Sequence, residues 1–70
     1  MKSKSVIYVK VRGVWRKLCE CAFEQPTNLM MFHAVDNLVS AWDSPYVTDY
    51  TYRDISIPVE QALAELNNNK

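Results

Sequence analysis

Cys19, Cys21 and His33 are the only side chains in this sequence suited to soft-metal ligation or thiol chemistry. A structural zinc site needs four ligands, usually two pairs that each close a short turn. Cys19-x-Cys21 supplies one pair, and His33 lies beyond a proline turn with no further Cys or His to join it. A Cys/His catalytic pair needs a thiolate activated by a nearby base. Residues two apart on a strand point the same way, so both thiols are expected to face a sheet–helix interface. His33 falls on the polar side of a helical pattern, so the groups should not meet. The two thiols are also too far apart to bridge without distortion, which suits a reducing compartment. Asp49 and Asp54 flank a tyrosine pair, but the chain has a single glycine and no phosphate-cradling loop or dinucleotide fingerprint. These residues predict a protein without catalytic, metal or cofactor chemistry.

Binding chemistry is better represented. Tyr46, Tyr50 and Tyr52 alternate with Thr48, Thr51 and Arg53, and Tyr and Arg are frequent anchors at protein interfaces. Aromatic side chains on a sheet also stack bases in single-strand RNA binders. Aromatic and β-branched residues favour strands in any case. The basic residues gather early, at Lys2, Lys4, Lys10, Arg12, Arg16 and Lys17. The acidic ones gather late, at Asp36, Asp43, Asp49, Asp54, Glu60 and Glu65. The candidate partner-binding set is Tyr46, Tyr50, Tyr52 and Arg53, with Arg12 and Arg16 as charged companions. Leu29, Phe32 and Leu66 are candidates for a dimer or assembly contact.

The elements that must carry these residues follow from hydrophobic period and punctuation. Ser5 to Arg12 and Val14 to Phe23 read as a hairpin about Gly13. A two-residue turn at Arg12-Gly13 would set Val9 opposite Arg16 and Lys10 opposite Trp15, mixing both faces. A longer, bulged turn with Gly13 in the left-handed region would set Val9 opposite Trp15. Ile7, Val9, Val11, Trp15, Cys19, Cys21 and Phe23 would then share one apolar face, with Tyr8, Lys10, Arg12, Arg16, Leu18 and Glu20 on the other. Burial of a single face selects the second register.

Gln25-Pro26-Thr27-Asn28 supplies helix-entry residues, with Thr27 or Asn28 as N-cap. Leu29 to Asp43 then follows helical spacing, with Met31, Ala34, Val35, Leu38 and Trp42 on one stripe. Ser44-Pro45 ends that helix. Tyr46 to Ile57 reads as a third strand whose face parity changes midway. Either a bulge near Arg53-Asp54 resets the face, or the tyrosines are outward and exposed. Pro58 opens a closing helix whose Val59, Ala62, Leu63 and Leu66 form one face. That face packs on its own sheet, across a dimer, or into a partner's groove.

The order is β-β-α-β-α, an α+β fold. A three-stranded antiparallel sheet carries the long helix on one face, and a short C-terminal helix completes the fold. Seventy residues make one domain, residues 1–70, with 1–4 and 67–70 frayed. Hydrophobic residues are 49% of the chain, an excess for a domain with so much surface to cover; a homodimer is the expected outlet. Eight basic residues balance eight acidic ones, whereas general nucleic-acid binders are strongly basic. The apolar run Val6 to Val9 is too short for a secretory segment, and no stretch is long enough to span a membrane. A cytoplasmic protein is expected.

With that order assembled, Val6 to Ile57 resembles the small phage-encoded host-takeover and anti-defence proteins. These include a short inhibitor of bacterial RNA polymerase, a phage antitoxin and several anti-CRISPR proteins. The likeness lies in a β-β-α-β core, scarce glycine and absent catalytic motifs, and it carries over no individual residue. It implies a non-enzymatic modulator that binds and inhibits a host protein in the bacterial cytoplasm. Zero net charge separates the chain from the acidic DNA mimics of that group. Two alternatives remain: a dimeric nucleic-acid binder using Lys10, Arg12, Arg16 and Lys17, and a structural subunit of a larger assembly.

Overall fold

The computed structural model describes residues 2–68. Its elements are β1 (Ser5–Val11), β2 (Val14–Cys21), α1 (Asn28–Leu38), a 3-10 turn (Ser44–Tyr46), β3 (Val47–Asp54) and α2 (Val59–Asn68). The strands form one antiparallel sheet in the order β2-β1-β3. The β-β-α-β-α order and the α+β class are those the sequence predicts.

β1 is central and buried on both sides. Val6 and Tyr8 cluster with Trp15 and with Ala62 of α2, and Ile57, Val59, Leu63 and Leu66 close over them. Val9 points the other way, toward Leu38 and Val39 at the end of α1. Alternate side chains of a strand face opposite sides, so the two helices sandwich the sheet. Of the possible dockings for α2, its own sheet is the one observed, and Leu66 is half-buried there rather than free for an assembly contact.

This arrangement overturns the expected hairpin register. Val9 is opposite Arg16, and Lys10 is opposite Trp15. Arg12 (φ 53°) and Gly13 (φ 81°) both occupy the left-handed region, as a two-residue type I′ turn demands. Burial selects a register only where one face alone is covered; with a helix on each side, apolar residues are accommodated on both. Tyr8, assigned to the outer face, is fully buried. The bulge falls lower, where Ile7 pairs with Cys19 and Tyr8 with Lys17, leaving Leu18 unmatched. In β3 the irregularity is near Thr48, since Lys10 pairs with Asp49 and Val11 with Val47; it is not at Arg53-Asp54. The parity change needs no bulge, because Tyr50 and Tyr52 pair with Val9 and Ile7 on the α1 side while Ile57 packs toward α2.

α1 starts where expected. Thr27 is the N-cap, its hydroxyl accepting the Met30 N–H at 3.2 Å. It ends five residues early, at Leu38, because Val39 is extended and a separate turn begins at Ser40. The Ser40 Oγ accepts the Asp43 N–H at 3.3 Å, and the Ser40 carbonyl accepts the Ser44 N–H at 2.9 Å. A hydroxyl that caps a new turn competes with continuation of the old helix.

At the other end of the chain, Asn67 and Asn68, expected in a frayed tail, lie in the last turn of α2. Asn67 Oδ1 accepts the Trp15 N–H at 2.8 Å, and Asn67 Nδ2 donates to the Trp15 carbonyl at 3.4 Å. Lys4, also placed in a frayed end, donates to the Cys21 carbonyl and accepts from the Ile55 N–H. Met1, Asn69 and Lys70 fall outside the described residues.

Candidate functional site

The early end of α1 brings together a cluster at one end of the sheet. Arg12 sits at the tip of the hairpin, and its N–H donates to the Tyr46 carbonyl at 3.1 Å. Its guanidinium lies 4.2 Å from the centroid of the Tyr46 ring. Arg12 Nη1 donates to Asp43 Oδ1, and Arg12 Nη2 reaches the Trp42 carbonyl at 3.4 Å. Arg16, on β2, donates through Nη2 to Asp43 Oδ2 at 3.1 Å. One carboxylate therefore joins two guanidiniums, and those of Arg12 and Arg16 hold the Asp43 carboxyl below its ordinary pKa.

These bonds fix the turn that presents Trp42. That indole is 85% exposed, and Tyr46 beside it is 50% exposed. The helical stripe had assigned Trp42 to the core; the Ser40 turn takes it off the helix and out to solvent. Neither Trp42 nor Asp43 was singled out as functional from sequence. The signal was there in Ser40-x-x-Asp43, a capping pattern inside the apparent helix.

The candidate partner-binding residues divide among three places. Tyr46, Arg12 and Arg16 belong to the cluster. Tyr50 and Tyr52 are half-buried on the sheet face under α1, so an exposed tyrosine strand is not what forms. Arg53 is on the opposite face, donating to Thr51 Oγ1 at 3.3 Å and to the Tyr52 carbonyl at 2.8 Å. Of the candidate assembly residues, Leu29 is 65% and Phe32 51% exposed on α1, away from Leu66.

No protein-family model, curated protein or solved structure matches the chain.

Next to the Arg12–Asp43–Arg16 cluster runs an open groove of about 300 Å³, lined by Val9, Arg16, Lys17, Leu18, Leu38, Val39, Ser40 and Asp43. Lys17 Nζ is 3.4 Å from Glu20 Oε2. On the Val9 side of the sheet, Cys19 and Cys21 are both free and half-buried. Burial, then the neighbouring Cys21, push the Cys19 thiol up, against the pull of Lys17. That is the reverse of what an activated nucleophile requires. Among the described residues, no three His, Cys, Asp or Glu side chains gather as a metal site, and no helix is long and apolar enough to cross a membrane.

Proposed function

We propose that this chain is a non-enzymatic binding protein that grips another protein through Trp42, Tyr46, Arg12 and Arg16. The observation that carries the proposal is the fully presented Trp42 indole, held in a turn by an ion-paired network. Trp, Tyr and Arg dominate interface hot spots, and an indole exposed to this degree has no structural work to do in the monomer. The resemblance to phage host-takeover proteins directs the search to a bacterial host protein, with inhibition as the consequence of binding.

The nucleic-acid alternative loses support from the ion pairs. Arg12 and Arg16 share Asp43, and Lys17 is matched by Glu20, so of the basic hairpin set only Lys10 and one net charge at the arginine pair remain for a run of phosphates. The test is a pull-down from bacterial lysate with nuclease treatment in parallel. One stoichiometric protein retained after nuclease supports the proposal; material that vanishes with nuclease returns the nucleic-acid reading.

A second reading, self-association, is favoured by Leu29 and Phe32 on the outer side of α1. Together they expose roughly 200 Å², well short of the ~800 Å² per partner of a standard interface, so the homodimer should be weak. Light scattering across micromolar to millimolar concentration should show a rising mass that Phe32→Ser abolishes. A constant monomer mass excludes this reading.

A further inference from the structure

The groove beside Trp42 has a floor, a rim and a charge count that together describe an occupant. Its floor is apolar: Val9, only 3% exposed, with Leu18, Leu38 and Val39. Its rim is polar: Arg16, Lys17, Ser40 and Asp43. A volume of about 300 Å³ is at the lower limit of ligand pockets. It suits one aliphatic side chain and its adjoining backbone better than a cofactor.

Charge decides what should accompany that side chain. Two guanidiniums face one carboxylate at Asp43, so among the described residues one positive charge is unmatched. Lys17 is neutralised by Glu20. Each guanidinium has five N–H donors. The bonds made by Arg12 and Arg16 engage only Nη1 and Nη2 of the first and Nη2 of the second. Donors remain free in the planar fork that fits a carboxylate. Arg12 is also held in place by the Tyr46 ring and by its left-handed backbone, so little ordering is left to do on binding.

We infer that this groove receives an acidic peptide segment of the partner, one aliphatic side chain on the Val9–Leu38 floor and its neighbouring carboxylate on the Arg12–Arg16 pair. This rests on the protein-binding reading and specifies the chemistry of its partner. A single unmatched charge calls for a single carboxylate, where a nucleic-acid strand would need several.

The probes are two capped dipeptides, N-acetyl-Leu-Glu-amide and N-acetyl-Leu-Lys-amide, titrated into the ¹⁵N-labelled full chain and followed by NMR. The Glu probe should shift the amides of Arg16, Leu18, Val39 and Ser40 and saturate in the millimolar range. The Lys probe should bind about two- to fivefold more weakly, the size of one exposed charge contact. Arg16→Gln should bring the two probes together. Equal binding of both probes to the wild-type chain, shifts centred elsewhere, or no shifts would overturn the inference. If neither probe binds while a lysate protein is still captured through Trp42, the groove inference falls alone. Lysate capture that survives Trp42→Ser, with preserved Glu-probe selectivity, removes the Trp42 reading and keeps the groove.

Discussion

Tyr8 is the side chain whose position says most about the core. It is fully buried, yet among the described residues its hydroxyl has no hydrogen-bond partner. An unpaired buried donor costs about 1–3 kcal/mol, while the ring fills the space beneath α2. Removing only the oxygen, in Tyr8→Phe, should therefore stabilise the protein by about 1 kcal/mol in urea melts. Burial also raises the Tyr8 pKa, against the pull of Arg53. A raised folded-state value means the unfolded chain loses its proton first as pH increases. Stability is then complete below the ordinary tyrosine value of about 10 and falls as pH rises through the folded value. Tyr8→Phe should flatten that alkaline fall; an identical profile would mean that another group sets it.

Arg12 is the complementary case, a residue kept where its backbone is disfavoured. Its φ of 53° is one that Asn adopts more readily in a type I′ turn. Arg12→Asn should raise thermal stability through the turn, by about 0.5–1 kcal/mol less the small worth of an exposed ion pair. It should also weaken partner binding at least tenfold. A variant that binds normally would place Arg12 outside the contact.

At the scale of elements, the two helices do different things for the sheet. α2 closes one face and one edge. Both Trp15 backbone groups bond to Asn67 and not to β1, so they point off the free side of β2, and the Asn67 amide meets them as a neighbouring strand would. Unpaired strand edges invite association, and here a helix side chain covers part of one. Asn67→Ala should cost about 1–2 kcal/mol and speed exchange of the Trp15 amide proton, measurable by NMR. Protection unchanged in the variant would show that the clasp does not persist in solution.

The order of elements was legible because most of its boundaries are spelled by residues with one physical meaning: Gly13 at a positive-φ turn, Thr27 as a cap, Pro58 at the start of α2. Pairing register was not. Periodicity shows which residues alternate, but it chooses a face only if one face alone is covered. The path of the chain after Leu38 was missed for a related reason: Trp42 fits the helical period, and period outweighed the local bonding of Ser40. Half of the partner-binding set, Tyr46, Arg12 and Arg16, does come together. What joins it, Asp43, is visible only once β2 and the Ser40 turn are neighbours in space.

For the molecule as a whole, the two outer layers are unequal. Among the described residues, five of the eight exposed large hydrophobic residues, Leu29, Phe32, Leu38, Trp42 and Tyr46, belong to α1 and the turn that follows it. The α2 layer keeps its apolar residues against the sheet. The apolar side chains left exposed are therefore concentrated on one side, which is how a small domain offers a binding surface. Trp42 and the Arg12–Asp43–Arg16 cluster stand at one end of that side. The most direct measurement is calorimetric titration of the retained lysate protein with the wild-type chain and with Trp42→Ser, a substitution that removes no core contact. A hot-spot indole predicts an affinity loss of about thirtyfold or more, near 2 kcal/mol, with an unchanged melting temperature. Equal affinity for the two proteins would contradict the account and move the contact surface away from this turn.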